Sequence, residues 1–269
     1  MKHLVTGGEG FIGSKIVERL NCESYDKNSK QDILNKENLS EALGDIDVIF
    51  HAAAKISVPE SQEKPDEYHK VNVEGTENVV NLSNAKIIFS SSAAVYGEYD
   101  RKVSEDDELN PESNYANNKV EGEALVSKRK GLSLRYFNVY GPGQGNAGVI
   151  AIFIKKALNN EDLIITGDGN QERDFVYVND VVDANIAAVS YSGPEKVFNI
   201  GSGRSIKLRD LAELIIKLCD SKSKIILEKP RYGDLFYSCG DITKAKTELN
   251  WAPKTDLETG LKKTIEFYK

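Results

Sequence analysis

The sequence has few of the residues that metal and thiol chemistry uses. Its 269 residues include three cysteines, three histidines, one methionine and one tryptophan. Cys22, Cys219 and Cys239 are odd in number and form no C-x-x-C. That weighs against a disulfide framework and for free thiols in a reducing compartment, so a cytoplasmic location is expected. His3, His51 and His69 are scattered and match no metal-ligand spacing, so they read as structural and no metal is expected. Positive charge is also in deficit. The 35 Lys and Arg face 42 Asp and Glu, a net charge of −7. A broad nucleic-acid surface is therefore not expected, although single Arg side chains can still hold a phosphate. No apolar run reaches the roughly 18 residues of a membrane span, so no membrane partner is expected. The opening "KHLV" leads directly into glycines, too short for a signal core. No internal repeat or low-complexity tract is evident.

What the chain does contain is alternation. "HLVT", "DVIFHAA", "KIIFSS" and "LSLRYF" read as buried strands. Between them, "FIGSKIVERL", "PDEYHKVNVEGTENVVNLS" and "NYANNKVEGEALVSK" read as helices. Apolar strands alternating with helices imply an α/β fold, a Rossmann-type doubly wound parallel sheet that carries ligand groups at the carboxyl ends of its strands. After Phe137 the pattern loosens into the glycine-rich "NVYGPGQGNAG". A smaller α/β C-terminal substrate-binding lobe is placed there.

"VTGGEGFIG" follows the first strand. Gly7, Gly10 and Gly13 fit G-x-x-G-x-x-G, while Gly8, Gly10 and Gly13 fit G-x-G-x-x-G, and spacing alone does not choose between them. Either register permits a tight turn and lets the backbone approach a pyrophosphate at a helix N-terminus. A ribose-binding acid belongs roughly 20 residues further on. Asp26 in "SYDKNS" meets that need, and an acid there favours NAD over its 2′-phosphorylated form. Asp32 and Ile33 in "QDIL" are placed against the adenine.

"NYANNK" sets Tyr115 and Lys119 four apart, on one helix face. A phenol titrates near pH 10 and is a poor base at neutral pH, and a neighbouring cation favours its phenolate. The spacing therefore suits a general base. The strand end "SSSAAVYG" adds hydroxyls. Strand alternation puts Ser90 and Ser92 on one face and Ser91 on the other.

"TGGEGFIG", "SSSAAVYG" and "YANNK", followed in order by "LRYFNVYGPGQ", "RDFVYVNDVVDA", "FNIGSG" and "RYGDLFYS", resemble the extended short-chain dehydrogenase/reductase family. Within it they are similar to the NAD-dependent epimerase/dehydratase group and its UDP-glucose 4-epimerase-like enzymes. The resemblance spans nearly the whole chain. It implies NAD as cofactor, lined by the glycine turn with Phe11 and Ile12, by Ala52, Ala53 and Lys55 of "AAAKIS", by Asn72, and by Tyr115 and Lys119. It implies Ser92, Tyr115 and Lys119 as the catalytic set, with Ser92 on the sugar O4. It implies Asn138, Arg173, Arg231 and Asp234 as contacts to a UDP-sugar substrate. It further implies an NAD-binding domain over 1–138 plus about 176–200, and a nucleotide-sugar lobe over about 139–175 plus 201–269. The helices around 65–83 and 115–129 match the family's dimer faces, so a homodimer is expected.

The reaction so implied is reversible C4 epimerisation of a UDP-hexose through a 4-keto sugar. Dehydratases of the family carry an acid pair directly after the hydroxyl residue, and here those positions are Ala93 and Ala94. Ser238 matches a position where a small side chain leaves room for an N-acetyl group at C2. The segment between Asp26 and "DIDVIF" is shorter than the family's usual strand and helix. Two alternatives stay open, a nucleotide-sugar 4-ketoreductase or dehydrogenase, and a non-catalytic NAD-binding regulator.

Overall fold

The computed structural model describes residues 1–145, 148–230 and 235–269. Its strands are β1 (His3–Thr6), β2 (Glu23–Tyr25), β3 (Val48–His51), β4 (Lys86–Ser92), β5 (Gly131–Tyr136), β6 (Asn138–Tyr140), β7 (Leu163–Thr166), β8 (Glu172–Tyr177), β9 (Val197–Ile200), β10 (Ser205–Lys207), β11 (Ile225–Glu228) and β12 (Tyr237–Ser238). Its helices are α1 (Phe11–Leu20), α2 (Lys36–Leu43), α3 (Val58–Glu63), α4 (Pro65–His69), α5 (Gly75–Leu82), α6 (Asn114–Ser127), α7 (Val149–Leu158), α8 (Val178–Ser190), α9 (Leu208–Leu218), α10 (Thr243–Glu248) and α11 (Leu257–Tyr268).

Six strands form a parallel sheet in the order β2-β1-β3-β4-β5-β9. Leu4, Ile49, Ile87 and Phe89 feed one apolar layer, and Val5, Phe50, Ile88 and Leu134 the other. Continuous apolar strands are what burial on both faces requires. The nucleotide-binding order 3-2-1-4-5-6 has one more strand outside β2. Among the described residues that strand is missing, and the three-residue β2 is the edge. The short segment after Asp26 instead holds α2, to which the sequence reading assigned no helix. Asn35 caps α2 by accepting the Asn38 N–H, and its fully buried residues are Leu39 and Leu43. Two apolar residues are a faint periodic signal.

A second core gathers Ile150, Phe153 and Ile154 of α7, Leu211 and Ile215 of α9, and Leu261 and Ile265 of α11. Beside it β8 pairs with β6, β10 and β12. The main sheet brings Thr6, His51, Ser92 and Tyr136 to its carboxyl edge, Thr6 opposite His51 and Ser92 opposite Tyr136. Among the described residues, no helix is long and apolar enough to cross a membrane.

Candidate active site

The glycine turn between β1 and α1 is crowded at both Gly7 and Gly8, where a Cβ would meet Ala53 and Ser24 respectively, and of the two only Gly7 has positive φ. Gly7 takes φ 72°, where side chains are strained, and a Cβ there would stand 2.6 Å from the Ala53 nitrogen. A Cβ on Gly13 would collide with the Gly7 carbonyl. The turn is thus pressed onto Ala52 and Ala53. Gly10 caps α1 without a side-chain bond, which leaves the first-turn N–H groups of Phe11, Ile12 and Gly13 for an anion. Asp26 directly follows β2, beside this turn. Its carboxylate accepts the N–H groups of Glu9 at 3.1 Å and Asn28 at 3.0 Å. These features fit a dinucleotide. We expect Gly13→Ala to weaken NAD binding by tenfold or more, measured by titration calorimetry, and to lower stability by about 1–3 kcal/mol through overpacking.

Asp32 is exposed and accepts the Leu34 N–H, while Ile33 is buried against Gly75. Asn72 lies in a single π-turn, Lys70–Glu74, between α4 and α5. Its amide grips the Lys55 backbone on both sides, accepting the N–H at 2.8 Å and donating to the carbonyl at 2.9 Å. The Lys55 ammonium is paired with Glu67 at 2.6 Å and Glu60 at 3.6 Å.

His51 is buried between Thr6 and Thr76, at 2.6 and 2.9 Å. Thr76 donates its own proton to the Asn72 carbonyl, so it accepts from His51 Nε2–H. Nδ1 is then the acceptor for Thr6. Burial, with the nearby Lys119 charge, drops the imidazole to about 3 and keeps it neutral. The histidine ties the end of β1 to the π-turn that carries Asn72.

Helix α6 begins at a Ser113 cap that accepts the Ala116 N–H. Tyr115 and Lys119 are both buried on its inner face. Lys119 Nζ donates to the Ser90 carbonyl at 2.7 Å and sits 5.8 Å from the Tyr115 ring centre. The expected drop in the Tyr115 pKa is not what these residues produce. Burial pushes the phenol above its ordinary value, opposed by a hydrogen bond with Ser92. The physical reason is that Lys119 turns to Ser90, and burial pulls its own pKa down to about 8, against the attraction of Glu123. Ser92 also caps the 3-10 turn Ala93–Tyr96 through the Ala94 N–H, and the Ser90 hydroxyl meets Tyr136 at 3.3 Å.

Ser91 points to the other side and donates to Glu123 at 2.6 Å. Glu123 also accepts two bonds from Arg135, at 2.9 and 2.7 Å. Arg135 continues to the Tyr96 hydroxyl, which reaches Asn199. The sequence reading did not assign this network. Two signals were available, an Arg inside the apolar "LSLRYF" and a Glu four residues after Lys119.

In the second sheet, Asn138 donates to the Asp174 carbonyl at 3.0 Å. Arg173 donates to the carbonyls of Glu172 and Leu235. Asp174, also unassigned from sequence, is fully buried and gathers the N–H groups of Ser202, Gly203 and Gly240. Arg231 and Asp234 lie outside the described residues. Among the described residues, no group of three or more His, Cys, Asp or Glu could hold a metal.

A glycine turn at the first strand of a parallel sheet, with an acid after the second strand and a buried Tyr–Lys pair facing it, defines a Rossmann-type dinucleotide enzyme. The chain belongs to the NAD-dependent epimerase/dehydratase family, whose model matches residues 3–201. It is similar to a UDP-glucose 4-epimerase of Mycolicibacterium smegmatis, 35% identical over 309 residues, covering 100% of this chain and 99% of that one. It is also similar to a dTDP-4-dehydro-6-deoxyglucose reductase of Escherichia coli, 34% identical over 303 residues, covering 98% of this chain and 96% of that one. The crystal structure of a Thermotoga maritima UDP-glucose 4-epimerase with UDP-glucose superposes with a TM-score of 0.93. Its identity is 35%, covering 100% of this chain and 98% of that chain.

Proposed function

We propose that the protein is an NAD-dependent 4-epimerase of a UDP-hexose, acting on UDP-glucose and UDP-galactose, with room at Ser238 for the N-acetyl forms. The observation that carries this reading is the buried Tyr115–Lys119 pair beside the half-buried Ser92, which Ala93 and Ala94 follow. It can move one proton and support one hydride transfer, and those two positions offer no acid or base for eliminating water. Ser92 orients the sugar O4 toward Tyr115, and the Tyr115 phenolate takes the O4 proton. Bound NAD would supply the hydride acceptor for C4 and a positive charge that favours the phenolate, and Tyr115 would give its proton back to O4 as the hydride returns to the other face. The Glu123 charge helps Lys119 keep its proton, while its ammonium donates to the Ser90 carbonyl beside the phenol. Asn138 and Arg173, with Arg231 and Asp234, hold the nucleotide end while the 4-keto sugar turns. The glycine turn, Asp26, Asp32, Ile33, Lys55 and Asn72 form the cofactor bed. The reading includes a homodimer paired through the helices at 65–83 and 115–129.

The test is incubation of the purified protein with UDP-galactose, UDP-GalNAc and their uronic acid counterparts, with products identified by NMR and absorbance followed at the NADH band. The expected result is the 4-epimer with no net NADH. Similarity to the E. coli reductase supports a second reading, 4-ketoreduction, since that chemistry needs the same three residues. Stoichiometric NADH consumption with a 4-keto sugar nucleotide, and no epimer, would select it.

A further inference from the structure

Glu98 follows the 3-10 turn that Ser92 caps and is exposed. An exposed carboxylate on a loop is normally left to water. This one is spent on backbone. Its oxygens accept the Phe236 N–H at 2.8 and 3.1 Å and the Tyr237 N–H at 3.2 Å. The segment it grips leads into β12. On its other edge, the Phe236 carbonyl accepts the Glu172 N–H at 2.8 Å, and Tyr237 and Ser238 pair with Glu172 and Arg173 of β8. The Arg173 guanidinium reaches the Leu235 carbonyl at 2.5 Å. β12 is the last strand of its sheet, and Glu98 holds the two consecutive N–H groups at its start. Backbone N–H bonds to a carboxylate are charge-assisted and stronger than neutral ones.

We propose that Glu98 is a positioning residue for the nucleotide-sugar site: it ties the substrate strap Leu235–Ser238 to the loop that follows Ser92 and its 3-10 turn. The inference rests on the UDP-sugar reading above. Glu98 touches neither reacting atoms nor cofactor. It fixes how far Ser238 and Arg173 stand from the catalytic hydroxyls, so its loss weakens sugar-nucleotide binding and leaves the proton and hydride steps alone. Its exposure means that substitution removes no core packing.

The test compares the full-length protein with Glu98→Ala and Glu98→Gln. Hydrogen exchange of the Phe236 and Tyr237 amides, measured without ligand, is expected to speed up tenfold or more in the Ala variant and by less in Gln, which keeps one acceptor oxygen. The KM for UDP-galactose and the Kd for UDP are expected to rise about tenfold in Glu98→Ala, with kcat within about twofold and NAD affinity unchanged. Unchanged exchange at both amides overturns the tie, and a fall in kcat with KM unchanged overturns the positioning role. A wild-type protein that binds no UDP overturns the nucleotide-sugar reading, and with it the role of the strap, while the exchange result separates that failure from a failure of the Glu98 contact itself.

Discussion

Tyr115→Phe is expected to reduce turnover by a thousandfold or more while the fold and NAD affinity stay close to wild type. The phenylalanine fills the same buried space on α6, so only the hydroxyl is lost. A positioned acid or base contributes about 10²–10⁴ in rate, and no other described titratable side chain is seen to take over the Tyr115 role. Ser92 has no ordinary basicity, and His51, kept neutral by burial and the Lys119 charge, has both ring nitrogens engaged by Thr6 and Thr76. Ser92→Ala should cost less, about ten- to a hundredfold, because it removes an orienting bond and leaves the base. The pH profile adds a second check. The Lys119 pKa is depressed to about 8, so its proton leaves the folded protein as pH rises through that value. Activity that depends on the ammonium charge should therefore fall above about pH 8. Stability from this residue moves the opposite way, because between about 8 and its ordinary 10.5 the unfolded chain binds more protons than the folded one. Rates measured against pH beside thermal melts at the same pH values would separate the two. A Tyr115→Phe variant that keeps wild-type turnover would end the catalytic assignment.

How much of this was legible in the chain depends on distance along it. The glycine turn, Asp26 and the Tyr115–Lys119 spacing are local patterns, fixed by one turn or one helix face, and they read directly from the sequence. Ser91 was also placed correctly on the face away from Ser92, since strand alternation is local. The side chains of Lys55 and Asn138 show what local reading misses. Each is engaged within the protein, Lys55 with Glu60 and Glu67, Asn138 with the Asp174 carbonyl. Those partners come from packing of elements far apart in sequence. α2 escaped because two buried leucines make too short a period. β6, β10 and β12 have two or three residues each and exist only because β8 runs beside them. The direction of the Tyr115 shift turned on burial and on where Lys119 donates, and neither is written in a four-residue spacing.

The largest effect on stability is expected at Glu123 and Arg135. Their side chains are 8% and 4% exposed, one on α6 and one on β5, and they bond through two contacts. Ser91, paired with Arg135 across the sheet, completes the carboxylate. Removing one partner leaves a buried charge without its counterion, so Arg135→Met or Glu123→Gln alone should lower stability by about 3–5 kcal/mol. Replacing both removes the charges together, and the Glu123→Gln/Arg135→Met double variant should recover most of that loss in chemical denaturation. A double variant as unstable as the sum of the singles would show that the pair does not act as a unit. The recovered variant should still be altered in function. Glu123 lies one helical turn beyond Lys119 and is the charge that holds the Lys119 proton against burial. Without it the ammonium titrates at lower pH, so the alkaline fall in activity should move below about 8. A pair kept only for packing would leave that limb in place, so a limb that does not move, in a double variant that folds, would separate stability from catalysis at this position.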